Sequence, residues 1–252
     1  MNIAIITGAS SGMGREFARQ LDYLNNAIDE IWIIARRKER LEELKRELKT
    51  KTVVFVGDLQ QREFLNEFKT VLVKNNPQIH ILVNAAGFGK VGNVNEISSN
   101  EQADMIHLNC ESLVHITTLC IPYMVKGSKI VNIASASAFC PQPGFTVYAA
   151  TKSFVLSFSR GLRVELKEHG IDVTAVCPGP VETEFFNVSG KKEKNGIKDS
   201  LTVKPQKVVK KALRDVKRGK ELSVYGISMK LCRVFTKVIP HGIILKVMKL
   251  FW

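Results

Sequence analysis

The sequence predicts an α/β fold, a single doubly wound parallel sheet with helices on both of its faces. Three observations carry that expectation. Short runs rich in Ile and Val are apolar throughout, as strands buried on both faces are. Amphipathic stretches of helical length alternate with them, and repeated strand–helix–strand order calls for right-handed crossovers. No linker, repeat or low-complexity stretch divides the 252 residues, so one domain is expected over 1–252.

The first run, 3–6 (IAII), leads straight into Thr7-Gly8-Ala9-Ser10-Ser11-Gly12-Met13-Gly14, and a helix over 13–25 follows. Glycines between a strand and a helix permit a tight turn, close approach to a pyrophosphate and close helix–strand packing. The helix N-terminus then supplies amide donors and a favourable dipole. This is the glycine loop of a Rossmann-type dinucleotide site, spaced GxxxGxG. The second run, 31–34 (IWII), ends in Ala35-Arg36-Arg37-Lys38, with no carboxylate to accept the adenosine ribose hydroxyls. A guanidinium grips a 2′-phosphate that a carboxylate would repel, so the expected cofactor is NADP(H). The plainer reading, in which Arg36 and Arg37 merely begin a solvated helix, is disfavoured because basic residues there oppose the helix dipole.

A helix over 38–49 places Leu41, Leu44 and Leu48 at spacings of three and four. The run 53–56 (VVFV) precedes Gly57-Asp58-Leu59, and a helix over 61–75 leads to 79–83 (IHILV), which ends at Asn84-Ala85-Ala86-Gly87. A helix expected over 100–125 contains Leu108-Asn109-Cys110. The run 130–133 (IVNI) is followed by Ser135, and a helix over 147–169 opens with Tyr148-Ala149-Ala150-Thr151-Lys152. The sixth run, 171–177 (IDVTAVC), ends in Pro178-Gly179. Tyr148 and Lys152, at i and i+4, share one helix face. An ammonium near a phenol favours the phenolate and is expected to lower its pKa from about 10, making it a usable proton donor and acceptor. These polar features gather at strand carboxyl ends, where open α/β sheets bind ligands.

Together these residues resemble the short-chain dehydrogenase/reductase family over approximately residues 1–185. The resemblance implies an oxidoreductase that interconverts a ketone and a secondary alcohol with NADP(H). It implies that Gly8, Gly12 and Gly14 form the glycine loop around Met13, with Ser10 and Ser11 beside the phosphates. Arg36 matches the NADP-selecting position, seconded by Arg37, with Ala35 where NAD users carry an acid. Asp58, followed by Leu59, would bind the adenine amino group, and Asn84, Ala85, Ala86 and Gly87 would wall the nucleotide. Asn109 would hold a water for the proton relay, Ser135 would orient the carbonyl, Tyr148 would donate the proton, and Lys152 would bind ribose hydroxyls. Pro178, Gly179, Val181 and Thr183 would hold the nicotinamide carboxamide. Ser137 competes with Ser135, and the thirteen-residue spacing to Tyr148 favours Ser135. The pattern fails at the C-terminus, where Leu222-Ser223-Val224-Tyr225-Gly226 lacks the family's Asp-Gly-Gly ending.

Charge sharpens the reading of that last quarter. Residues 190–252 hold 17 of the 37 basic residues and 4 of the 24 acidic ones, so the whole net charge of +13 lies there. The basic stretch 191–220 has no aromatic residue for base stacking, which argues against nucleic-acid binding. The long polar segment after the sixth strand, 190–204, is expected to be a substrate lid. Residues 226–252 read as a basic amphipathic extension, with Ile227, Leu231, Val234, Phe235 and Val238 at helical intervals and Lys230, Arg233 and Lys237 beside them. Such a stripe packs on the protein's own core, forms a homo-oligomer interface, or touches an anionic membrane; core packing or an oligomer interface is the favoured expectation. No apolar run is long enough to span a bilayer, no basic n-region opens the chain, and five cysteines lack any CxxC or Cys/His cluster. A cytoplasmic protein with reduced thiols and no metal is expected.

The apolar rim Phe139, Pro141, Pro143, Phe145, Phe185 and Phe186 points to a hydrophobic substrate, such as a steroid, bile acid or lipid. A 3-oxoacyl-thioester reductase is the enzyme alternative, since a lysine-rich lid suits phosphates or an acidic carrier. A non-catalytic NADP(H)-binding scaffold is the alternative of another class, and loss of a catalytic residue type would favour it. None is lost.

Overall fold

A computed structural model describes residues 1–24, 27–185, 189 and 202–249. The strands are β1 (Asn2–Thr7), β2 (Glu30–Ala35), β3 (Lys51–Val56), β4 (Gln78–Asn84), β5 (Met124–Ile133), β6 (Asp172–Val176) and β7 (Leu222–Ser223). They form one sheet in the order β3-β2-β1-β4-β5-β6-β7, and every pairing is parallel. The helices are α1 (Gly12–Leu24), α2 (Lys38–Glu47), α3 (Arg62–Asn75), α4 (Ser99–Ile106), α5 (Ser112–Cys120), α6 (Thr146–Glu165), α7 (Pro205–Lys217), α8 (Ile227–Val238) and α9 (His241–Lys249). The expected doubly wound α/β fold is present.

Two cores explain why the strands read as apolar without alternation. Ala4, Ile6, Ile31 and Ile33 pack into one cluster, under α1 and α7. Ile3, Ile5, Trp32 and Ile34 pack into the other, with Phe68 and Leu72 of α3 and Leu162 of α6. Successive side chains point to opposite faces, so a strand covered on both needs an apolar residue at each position. Each isoleucine among them, once fully buried, contributes about 1.5–3 kcal/mol.

The structure departs from the sequence reading where local geometry overrides periodicity. The single helix expected over 100–125 is interrupted by a π-helical turn at His107–Glu111 and ends at Cys120, where Ile121–Tyr123 tightens around Pro122. The freed residues become strand, so β5 begins at Met124 instead of residue 130 and shifts register against β4 between Ile79 and Ile81. The helix expected to reach 169 ends at Glu165, and Gly170 turns the chain with φ +70°. Helix α7 was not anticipated at all. Its lysines dominate the composition, but Val208, Val209, Ala212, Leu213 and Val216 form its buried stripe.

Helix α7 and the edge strand β7 are held by one buried acid. Asp215, 1% exposed, accepts a hydrogen bond from the Ser223 hydroxyl at 2.8 Å and pairs with Lys211 and Lys220. Burial alone would raise its pKa, but the hydrogen bonds from Lys211, Ser223 and Lys220 outweigh it and lower the pKa below the ordinary value. The stabilisation is therefore complete above the unfolded aspartate's pKa of about 3.9 and is lost as the pH falls through the lower folded value. Asp215→Ala is expected to cost about 1.5–3 kcal/mol, the worth of hydrogen bonds to a charged group. Thermal melts of both proteins at pH 7 and pH 3 test this; a difference that fails to shrink at low pH would refute it.

Candidate active site

Strand order reverses at β1 and β4, so the helices that follow them leave on opposite sides and open a crevice at the carboxyl edge. A cavity of about 1340 Å³ occupies it. That exceeds the roughly 300–1,000 Å³ of a pocket for one drug-sized molecule and leaves room for a dinucleotide and a second ligand. The glycine loop forms its floor. A Cβ on Gly14 would collide with the Gly8 carbonyl, and one on Gly8, where φ is +66°, would lie 2.7 Å from the Ala86 nitrogen. Gly8, Ser10, Ser11, Gly12, Met13 and Gly14 all face the cavity.

The tip of β2 supplies cations beside this floor. Arg37, the N-cap of α2, donates to the hydroxyls of Ser10 at 3.1 Å and Ser11 at 2.8 Å. Arg36 lies 3.4 Å from the Asp58 carboxylate. The two arginines thus separate: Arg36 turns to the Asp58–Leu59 end and Arg37 to the loop serines. Glu184 pairs with Arg37 at 2.9 Å and with Arg40, and the Arg40 hydrogen bond leads the effects that hold its carboxyl below the usual range. Nothing in the sequence pattern marked Glu184, because its partners lie on a helix remote in the chain.

At the end of β4, Ala85, Ala86 and Gly87 wall the cavity as expected, and the Thr7 hydroxyl accepts from the amides of Ala85 and Ala86 at 3.1 Å each. Asn84 is a correction. Its side chain turns inward and donates to Thr117 at 2.9 Å and to Asn132 at 2.8 Å, cross-linking β4, α5 and β5 beneath the site. Asn109 sits in the π-helical turn, a distortion frequent at functional sites. Both of its amide hydrogens are engaged, donating to the Phe88 carbonyl at 2.8 Å and the Thr151 hydroxyl at 3.0 Å, while its oxygen accepts from the Phe88 nitrogen. In this arrangement it clamps the loop after β4.

Ser135 stands just past the end of β5, and its hydroxyl accepts from the Ser137 nitrogen at 3.1 Å. Tyr148 stands beside it near the start of α6, stacked on Phe145 with centroids 4.2 Å apart and flanked by Phe185 at 5.3 Å. Lys152, one turn later, lies 5.7 Å from the Tyr148 ring and donates to the Ile133 carbonyl at 2.9 Å. The expected lowering of the tyrosine pKa by Lys152 is not what this geometry produces. Burial pushes Tyr148 up to about 12, and a hydrogen bond with Ser135 only partly offsets this. Burial likewise pulls Lys152 down to about 8. Both groups lie under an apolar seal, and desolvation is the leading cause of each shift.

Pro178, Gly179, Val181 and Thr183 line the cavity from the end of β6. Val181 forms a parallel bridge with Val203, so the chain leaves and re-enters this edge at one point. Most of the expected lid, 190–201, lies outside the described residues. Of the expected rim, Pro143, Phe145 and Phe185 face the cavity, Phe186 lies outside the described residues, and Pro141 is exposed on the surface. Phe139 instead packs against the core cluster around Val155 and Cys177. Gly89 was missed: a Cβ there would lie 2.6 Å from the Tyr148 ring and 2.9 Å from Phe185, so only glycine permits the aromatic seal. Met229, Cys232, Val247 and Met248 of α8 and α9 also line the cavity. The tail therefore walls the cleft, though not with the stripe that periodicity singled out. All five cysteines are unpaired.

The glycine cradle, the loop amides and the cations beside Ser10 and Ser11 fit a dinucleotide. The sequence matches the short chain dehydrogenase pattern over residues 2–194. It is 34% identical to the NADP-dependent 3-hydroxy acid dehydrogenase YdfG of Escherichia coli, over 82% of this chain and 85% of that protein. It is 33% identical to the very-long-chain 3-oxoacyl-CoA reductase-B of Danio rerio, over 73% of this chain and 61% of that protein. Among solved structures, a short-chain dehydrogenase from Sphingobium yanoikuyae in complex with NADPH superposes with a TM-score of 0.80 at 26% identity, covering 99% of this chain and 96% of that one.

The buried amine has a measurable consequence. Lys152 is protonated at pH 7 in both folded and unfolded states, and desolvation makes that charge costly only in the folded one. Its folded pKa lies below its unfolded value, so wild-type stability rises between about pH 8 and pH 10.4. Lys152→Met is expected to stabilise the cofactor-free protein at pH 7 by about 1–3 kcal/mol, with the advantage shrinking towards pH 10. Chemical denaturation across that range measures it, and a destabilised variant at pH 7 would overturn the burial argument.

Proposed function

The chain belongs to the short-chain dehydrogenase family, and we propose that it is a single-domain, NADPH-dependent reductase converting a hydrophobic ketone to a secondary alcohol. The observation that carries this reading is the placement of Tyr148. It stands between Phe145 and Phe185 on the same cavity as Ser135 and the glycine loop, with Lys152 5.7 Å from its ring, so its hydroxyl is placed to give a proton to a carbonyl oxygen bound beside Ser135. The dinucleotide, when bound, supplies the hydride. Tyr148 gives its proton to the substrate oxygen, and the Ser135 hydroxyl donates a hydrogen bond to the negative charge developing there. Lys152, still charged below about pH 8, offsets the phenolate left behind and is in place to bind ribose hydroxyls. Asn109 holds the loop after β4 against α6.

For the nucleotide, Arg37 over Ser10 and Ser11 favours NADP(H), with Arg36 and Asp58 at the adenine end. Glu184 competes with a 2′-phosphate for Arg37. The substrate class rests on the aromatic seal and on the methionines of α8 and α9 in the cavity wall. A 3-oxoacyl thioester is the second reading, supported by the name of the Danio rerio relative.

Tyr148→Phe is expected to lower turnover by about 10²–10⁴-fold while leaving NADPH affinity nearly unchanged. Stopped-flow oxidation of NADPH against a panel of steroids, acyl thioesters and small ketones, with fluorescence titration of the nucleotide, checks both halves. A variant that keeps more than about a tenth of the wild-type rate would remove Tyr148 from the mechanism.

Arg37→Ala is expected to weaken NADPH binding by about 1.5–3 kcal/mol, and Arg36→Ala to weaken it by less, with NADH affinity little changed in either. Glu184→Gln should shift NADPH affinity the opposite way. Equal losses for NADPH and NADH in the Arg37 variant would make that residue structural and end the NADP reading.

A further inference from the structure

Helix α8 has two apolar sides and only one of them is covered. Met229 reaches under Gly179, where a Cβ would meet its sulfur at 2.7 Å, and Cys232 joins it on the cavity wall. The opposite side carries Ile227, Leu231, Val234, Phe235 and Val238, which are 52–77% exposed, and no residue of the helix is buried. Helix α9 continues it: Met248 lines the cavity, Ile243 is about half exposed, and Val247 lies at the border, half exposed and touching the cavity. An apolar face of this extent on two adjoining helices is unusual for a surface that meets only water.

Charge identifies what covers it. Residues 227–249 contain Lys230, Arg233, Lys237, Lys246 and Lys249 and not one aspartate or glutamate. A second copy of the chain would meet this face with the same cations about a two-fold axis, with no acid on either helix to pair them. An anionic bilayer supplies both complements at once, acyl chains for the stripe and headgroups for the lysines. Neither helix is long and apolar enough to cross a membrane, so the geometry is that of helices lying in the headgroup plane. We propose that α8 and α9 are a docking face for an anionic membrane surface, and that a lipophilic substrate enters the cleft from that side, past Met229 and Met248. The second half rests on the hydrophobic-ketone reading above.

The test is sedimentation of the full-length protein with phosphatidylcholine vesicles, with and without phosphatidylserine, at low and high salt. Binding is expected only with the anionic lipid, falling at least about tenfold at 1 M salt, where screening reaches within about 3 Å. Leu231→Glu/Phe235→Glu and, separately, Lys230→Glu/Lys237→Glu should each abolish it. Both variants should keep wild-type turnover of a water-soluble ketone, because none of the four side chains lines the cavity. For a ketone presented within vesicles, KM should rise in the variants and kcat should not. Absent binding, or equal binding to neutral vesicles, overturns the docking face. A dimer in analytical ultracentrifugation that dissociates in the first variant, without vesicle binding, assigns the face to a second copy and overturns it as well. Vesicle binding needs no turnover, so an inactive protein that still binds would sink the function reading and leave the docking face standing. An unchanged KM for the vesicle-borne ketone would remove substrate entry alone.

Discussion

The contact between Gly14 and the backbone of Gly8 is the constraint on which the rest of the site depends. With no side chain at either position, α1 seats directly on the end of β1, and the Ala85–Ala86 backbone just after β4 closes in from the other side. The first turn of α1 then faces the crevice that the reversal of strand order opens between β1 and β4. Its unpaired amides, the hydroxyls of Ser10 and Ser11 and the Arg37 guanidinium converge on one space. A methyl group at Gly14 would push α1 off the sheet and scatter all of them.

Burial sets the chemistry at the other end of the crevice. Phe145, Phe185 and the side-chain-free surface of Gly89 exclude water from Tyr148, and Lys152 lies in the same sealed space. Desolvation disfavours the charged form of each, so the phenol holds its proton and the amine holds its own less tightly. The fold therefore carries a destabilised lysine where the proposed reaction would need a cation close to a forming phenolate. Stability given up at a functional site in this way is a common bargain.

The C-terminal quarter joins that sealed space to the outside. Helix α7 is anchored through Asp215 to β7, and β7 delivers the chain to α8 at the rim of the cavity. From there Met229, Cys232 and Met248 extend the wall, and the same two helices carry five basic residues and no acid.

Much of this was legible in the chain itself. Strands buried on both faces announce themselves as unbroken apolar runs, and a glycine loop between a strand and a helix marks its own position. Tyr148 and Lys152 were marked by their shared helix face and Ser135 by its strand end, both local properties, while their roles came from the resemblance to a known family. Helix α7 was hidden by lysines on its exposed side, and the early start of β5 by a helix pattern running up to Pro122. What only the tertiary structure decided are the matters that depend on residues far apart in sequence. Asn84 turned inward because Thr117 and Asn132 lie across the sheet, and Arg37 reached the loop serines because β2 neighbours β1. The pKa of Tyr148 followed from aromatic burial by Phe145 and Phe185, not from its spacing to Lys152. The sequence determined which residue types stand at which strand ends. Packing decided their environment, since desolvation and hydrogen bonding are properties of neighbours in space.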